Sequence, residues 1–399
     1  MFDFRTTRPV VLAAPVRTPI GKFGGALSSV SAVELGTVAA REALARSGVA
    51  PDAVDETIIG HGRQGGCGPN PGRQVSAAAG VPFETPAYTV NQACASGLKT
   101  VILAAQSIAM GAAEVVLAGG MESMSNTPYM LPRARWGYRM GNDELVDGMY
   151  RDGFLCPLCG ELMGKTAENL AERYDISRAE QDEYAMRTQH RAQAAREAGR
   201  FVEEIVGVQV PQRRGDPLRV NIDEHPRDDV TLEQLARLPA VFKKDGTVHA
   251  GNASGITDGA AALLVLSEES AERHGVTPVA RLIAATQAGV DPAFMGIGPV
   301  PATRELLGGL EIGLADIDLI ELNEAFAAQV IAVDRELQLD HERLNVNGGA
   351  IALGHPIGCS GTRILVTLLH EMARRGARRG LATLCVSGGM GTSLLVERP

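Results

Sequence analysis

Apolar positions near the start of the chain fall into short runs of strand length separated by stretches of helical period. VVLAAPV (10–16) is followed by AVELGTVAAREALARSG (32–48), ETIIGHG (56–62), a long helical stretch and EVVLAGGMES (114–123). This alternation predicts an α/β domain with a mostly covered sheet. From about 125 to 249 the pattern changes: PYMLPRARWGYRMG, the strongly helical TAENLAERYDISRAEQDEYAMRTQHRAQAAREAG, and a charged stretch ending DEHPRDDVTLEQL. It reads as an inserted, partly helical excursion, because sheet-like sequence returns at AALLVLS (261–267). Strand and helix alternate again from about 275, through VARLIAATQAG, IDLIELNEAFAAQVIAV, RILVTLLHEMARRG and GLATLCVSGGMGTSLLVE.

The two ends echo each other. Cys94-Ala-Ser-Gly opens a helix leading to a strand that ends Gly119-Gly120-Met121, and Cys359-Ser-Gly opens a helix leading to a strand that ends Gly388-Gly389-Met390. The echo suggests two halves of one topology, against the plainer reading of a chance match of small residues. With 399 residues the chain is long enough for two or three domains. A net charge of −9 argues against a duplex nucleic-acid partner. No apolar stretch approaches the roughly 20 uncharged residues of a membrane span, and the apolar run near the start is too short for a secretory signal, so a cytoplasmic protein is expected. Six cysteines in so long a chain do not make a disulfide framework. The lone Cys156-x-x-Cys159 has no second pair beside it, and no metal site is expected.

Four segments carry candidate chemistry. In NQACASGLK, Leu98, Val101, Ile102, Ala105 and Ile108 have the spacing of a buried helix face, which puts Cys94 at or just before a helix N-terminus. Unpaired N–H groups and the macrodipole favour a thiolate there; an inert buried cysteine is the competing reading. His355 lies in NVNGGAIALGHPIGCSG, where glycines let backbone approach a ligand before a helix expected near Ser360. That stretch is not a dinucleotide loop, since it has no G-x-G-x-x-G after a strand. Cys385 ends the strand LATLC beside a glycine turn, and Asn323 follows the strand IDLIEL, where a plain helix cap is the alternative.

Together with VRTPIGKFGG (16–25), NPGRQ (70–74), AGGMESMS (118–125), MGKTAEN (163–169) and GNASGITDGAAA (251–262), these segments in this order resemble the thiolase family over essentially the whole chain. The resemblance implies a five-layer αβαβα core of two similar halves with an inserted loop domain. Here these would be residues 1–124 completed by 250–274, the coenzyme-A-binding insertion 125–249, and the second half 275–399. It implies reversible Claisen condensation of acetyl-CoA with an acyl-CoA, and thiolysis of 3-ketoacyl-CoA. Cys94 would be the acylated nucleophile, His355 its base, and Cys385 the acid and base at the α-carbon. Asn323 and His355 would form one oxyanion site, and the Cys94 and Ser387 backbone another. Arg227 and Ser254 match coenzyme-A contacts, and Met163, Met295 and Phe326 match the acyl pocket. No permanently bound cofactor is implied, only coenzyme A and acyl-CoA as substrates, in a homodimer or homotetramer.

Two departures stand out. Ser387 replaces the family's usual glycine, which raises the prospect of backbone strain. Leu162 stands where acetoacetyl-CoA enzymes carry histidine, which leaves room for longer acyl chains. The rival readings are a ketoacyl-synthase-type condensing enzyme, which would use one cysteine and two histidines, and a non-catalytic acyl-CoA-binding or lipid-transfer protein.

Overall fold

In the computed structural model, residues 1–398 are described; the last residue of the expected 275–399 half lies outside them. The first half runs β1 (Val10–Arg17), α1 (Ala32–Ser47), β2 (Glu56–His61), α2 (Pro71–Ala78), β3 (Ala87–Val90), α3 (Ser96–Ala109) and β4 (Val115–Ser123). An excursion carries α4 (Met163–Arg173) and α5 (Arg178–Glu197) before β5 (Thr257–Ser267) rejoins the sheet. The second half runs β6 (Ala280–Gly289), α6 (Pro299–Leu310), β7 (Leu319–Leu322), α7 (Ala327–Leu337), α8 (Ile357–Arg375), β8 (Arg379–Val386) and β9 (Met390–Glu397).

In the first half the strands lie in the order β3-β2-β4-β5-β1, with β2 parallel to β3 and β4 and with β5 antiparallel to its neighbours. The second half repeats this as β7-β8-β9-β6: β7 and β8 are parallel, and β9 is antiparallel to β8 and β6. Even the short β3 has a counterpart, a parallel bridge from Leu344 to Ile320. The halves meet edge to edge along β6, which pairs with β1 at Leu12–Ala280 and Val11–Arg281 and with the N-terminal Phe2 and Asp3 at Ala285 and Ala284.

Five layers result. Leu35, Ala39 and Ala43 of α1 and Val75 of α2 cover one sheet face against Leu117 and Leu264. Leu98, Val101 and Ile102 of α3 meet Ile364, Leu365 and Leu368 of α8 between the sheets. On the far side, Leu306 and Leu310 of α6 and Val330 and Val333 of α7 cover Ile320, Leu381 and Leu395. Glycine makes the middle layer thin: a Cβ on Gly97 would strike Thr362, one on Gly361 would strike Leu98, and one on Gly120 would overlap the Gly358 carbonyl oxygen.

Several details differ from the sequence reading. The helical stretch 166–199 is two helices, broken where Asp175 takes φ 50° and Ser177 caps α5 in a capping box with Glu180. α8 begins at Ile357 rather than near Ser360, because Pro356 takes the N-cap position and the buried Glu122 carboxylate accepts from Gly358 N–H at 2.9 Å. The topological echo holds while the glycine echo does not: Gly119 and Gly120 lie inside β4, but Gly388 and Gly389 form the β8–β9 turn at φ 90° and 86°. Cys359 sits inside α8, packed with Ala261 and Val366, and burial pushes its thiol up to about 12.

Candidate active site

Between the end of β3 and the start of α3 the chain makes a tight turn. Ala93 sits at φ 45°, a left-handed conformation costing a non-glycine residue roughly 1 kcal/mol. Side chains hold it there. Asn91 Oδ1 accepts from Ala93 N–H at 3.0 Å, and Ser96 Oγ donates to the Ala93 carbonyl at 2.6 Å while accepting from Gln92 N–H at 2.9 Å. The strained turn turns the half-buried Cys94 into a cavity of about 730 Å³ that His355, Cys385 and Ser387 also line.

Electrostatics differ among these groups. Desolvation pushes the Cys94 thiol up, opposed by the Ser387 backbone N–H and the Arg63 guanidinium. Cys385 is fully enclosed with Met295, Ala325 and Phe326; burial first, and then the neighbouring Cys94 charge, raise its thiol well beyond the ordinary range. Burial and the nearby arginines Arg363 and Arg63 lower His355 to about 3, so its ring is neutral at pH 7. Its Nδ1 is fixed by Ser360 Oγ, and its Nε2 is buried without a partner. A neutral imidazole with one nitrogen tied and one free is suited to taking a thiol proton.

The remaining expected residues fall into three groups. Leu162, Met163, Met295 and Phe326 line the apolar end, where Phe242 meets Phe326 edge-on at 6.2 Å. Arg227 and Ser254 line the same cavity, Arg227 with an exposed head. Asn323 lies behind the wall rather than on it. It caps no helix, since α7 starts at Ala327 with Phe326 at the N-cap, and its fully buried Oδ1 and Nδ2 have no partner. Such orphans are rare unless a site needs them. Ser387 is unstrained, because the positive φ angles fall on Gly388 and Gly389.

Segment 249–255 ties these parts together. Asp182 of α5 holds His249 at 2.7 Å and Asn252 at 3.1 Å; Ser254 N–H donates to Ala325 and His355 N–H to Gly255. Sequence reasoning missed Glu122 and Arg63. Glu122 accepts from the N–H groups of Gly62, Arg63 and Gly358, so one carboxylate joins the β2 loop to the His355 helix. Arg63 lines the cavity. The sequence signal for both was charge in or beside apolar strands.

Family profiles described as Thiolase, N-terminal domain and Thiolase, C-terminal domain match residues 10–269 and 276–398. The chain belongs to the thiolase family. This thiolase is 53% identical over 390 residues, 98% of its length and 100% of the relative's, to a protein of Chromobacterium violaceum named acetyl-CoA acetyltransferase. A Bacillus anthracis acetyl-CoA acetyltransferase structure superposes with a TM-score of 0.96 at 48% identity, covering 98% of this thiolase and 99% of that chain. Human mitochondrial 3-ketoacyl-CoA thiolase in complex with CoA gives 0.95 at 43% identity, covering 98% of each chain. Among the described residues of this thiolase no helix is long and apolar enough to cross a membrane, and no three His, Cys, Asp or Glu side chains cluster to hold a metal ion.

Proposed function

We propose that the chain is an acyltransferase of acetyl-CoA and 3-ketoacyl-CoA, working through an acyl-Cys94 intermediate. The observation carrying this reading is that two thiols of opposite setting, Cys94 on a strained turn and Cys385 in an apolar cluster, open onto one cavity with the neutral His355.

His355 takes the Cys94 proton, and the thiolate attacks the carbonyl carbon of acetyl-CoA. The carbon–sulfur bond to coenzyme A breaks, and His355 returns the proton to the departing thiolate. His355 Nε2 and a water positioned by Asn323 serve the thioester oxygen of the second substrate, and the Cys94 and Ser387 N–H groups serve that of the acyl-enzyme. Acylation removes the Cys94 charge that adds to burial in raising Cys385, and Cys385, as its thiolate, takes the α-proton of a second acetyl-CoA and becomes the thiol. The resulting carbanion attacks acetyl-Cys94, the carbon–carbon bond forms as the Cys94 carbon–sulfur bond breaks, and the departing Cys94 thiolate takes the proton from Cys385. Thiolysis is the reverse sequence.

Coenzyme A enters past Arg227 and Ser254 on the 125–249 insertion and the loop that follows it, and the acyl chain lies against Leu162, Met163, Met295 and Phe326. The reading extends to a homodimer or homotetramer acting in fatty acyl metabolism in the cytoplasm, where six free cysteines are at home.

Incubation with acetyl-CoA followed by peptide mass measurement tests the assignment. An acetyl group on Cys94 is expected; one on Cys385 but never on Cys94 overturns it.

A further inference from the structure

Arg63 lies just beyond β2, in the glycine-rich loop 62–66, and its side chain forms part of the cavity wall that Cys94 and His355 share. It is 5% exposed, and its Nε and Nη2 are buried with no hydrogen-bond partner. Only its backbone N–H, at 3.1 Å, engages Glu122. The guanidinium carbon stands 4.8 Å from the centre of the Phe154 ring, and a Cβ on Gly153 would overlap the head group, so the turn 150–154 closes over it.

A buried guanidinium without an ion pair costs several kcal/mol, unless the site regularly presents it with negative charge. The acids around it are already engaged or remote. Glu122 is occupied by three backbone N–H groups and lies 3.2 Å from His61 Nε2; it is the foremost charge acting on Arg63, ahead of Asp152 and Asp147, but none of the three accepts a hydrogen bond from the guanidinium. On the Cys94 side stand His355, the Ser387 N–H and Cys385. None is a cation, since His355 is neutral at pH 7. Of the other basic residues of this wall, Lys22 and Arg227 are exposed and burial lowers the pKa of the His225 imidazole, which favours its neutral form, while Arg363 lies 3.5 Å from Glu321 outside the cavity lining. Arg63 is therefore the buried cation of the wall.

We infer that Arg63 is a positioning residue, whose unpaired guanidinium in the cavity wall holds Cys94 as the thiolate that attacks the thioester. The inference rests on Cys94 being the acylated nucleophile, and the experiment separates the two claims.

The rate of Cys94 alkylation by iodoacetamide is followed by peptide mass across pH in the wild type, Arg63→Leu and Arg63→Lys. Loss of the charge moves the alkylation midpoint upward and slows the reaction at pH 7 by about tenfold in Arg63→Leu. Arg63→Lys falls between the two. A structural role alone leaves the midpoint in place, and an unpaired buried charge replaced by leucine leaves the melting temperature equal or higher. If Arg63→Leu does not fold, Arg63→Met and Arg63→Lys carry the comparison. Midpoints identical to wild type, with Cys94 still acetylated by acetyl-CoA, overturn the role of Arg63 and leave the thiolase reading standing. A wild type whose Cys94 never acquires the acetyl group overturns both.

Discussion

At the scale of single residues, the two thiols are told apart by what surrounds them. Cys94 has the Ser387 N–H and Arg63 to offset its desolvation, whereas Cys385 has apolar neighbours and the Cys94 charge against it and just its own backbone N–H in its favour. Cys385→Ser is therefore expected to be acetylated at Cys94 at near wild-type rate while losing exchange of acetyl-CoA α-protons with solvent deuterium; lost acetylation with retained exchange would reverse the two roles. His355 makes a separate prediction about pH. Its folded value of about 3 lies below the ordinary 6.5, so an unfolded chain takes up a proton that the folded chain refuses. Its contribution to stability is complete above 6.5 and is lost as pH falls from there toward 3. Denaturant titrations at several acidic pH values should show the wild type losing stability faster than His355→Asn; parallel curves would show that the imidazole is not held neutral.

At the scale of elements, the site depends on how closely α3 and α8 approach β4. Gly120→Ala would push a methyl into the Gly358 carbonyl, against backbone that has no room to yield. A loss of about 1–3 kcal/mol in denaturant unfolding is expected, with kcat falling because His355 rides on the start of α8. A second prediction concerns Leu162, which caps no group of α4 but lines the apolar end of the cavity. Measurable thiolysis of 3-ketohexanoyl-CoA is expected, each accommodated methylene contributing up to about 0.8 kcal/mol. Leu162→His should shift kcat/KM toward acetoacetyl-CoA, and an unchanged ratio would remove Leu162 as a determinant. Elements with a local signal were legible in the sequence: the apolar face of α3 announced the helix start beside Cys94, and the strand LATLC announced Cys385. Asn323 was ambiguous, because an asparagine after a strand looks the same whether it caps a helix or waits behind a wall. Glu122 and Arg63 were missed because Glu122 accepts from Gly358, 236 residues away, and Arg63 packs against the ring of the distant Phe154, and no periodicity encodes such contacts. The short β3, with no fully buried residue, was read into the long helical stretch before β4 for want of apolar alternation.

At the scale of the whole molecule, the two halves share a topology and both line the one cavity. Cys94 comes from the first half, while His355 and Cys385 come from the second. Separate fragments 1–274 and 275–399 should each lack thiolysis, and co-expression should restore it only if the middle helical layer re-forms, which gel filtration and an acetoacetyl-CoA assay would detect. Either fragment turning over alone would dismiss the shared site. The seam along β6 is too short to hold the halves by itself, having two residue pairs to β1 and two to Phe2 and Asp3. What joins them is the sandwiched pair α3 and α8, which belongs to both sheets at once. Each half thus lacks a face of its own until the other supplies it, so the protein is one cooperative unit despite its repeated plan. A ribosome-bound chain that has made only the first half would carry the Cys94 turn beside a bare apolar helix surface, with the cavity still lacking His355 and Cys385.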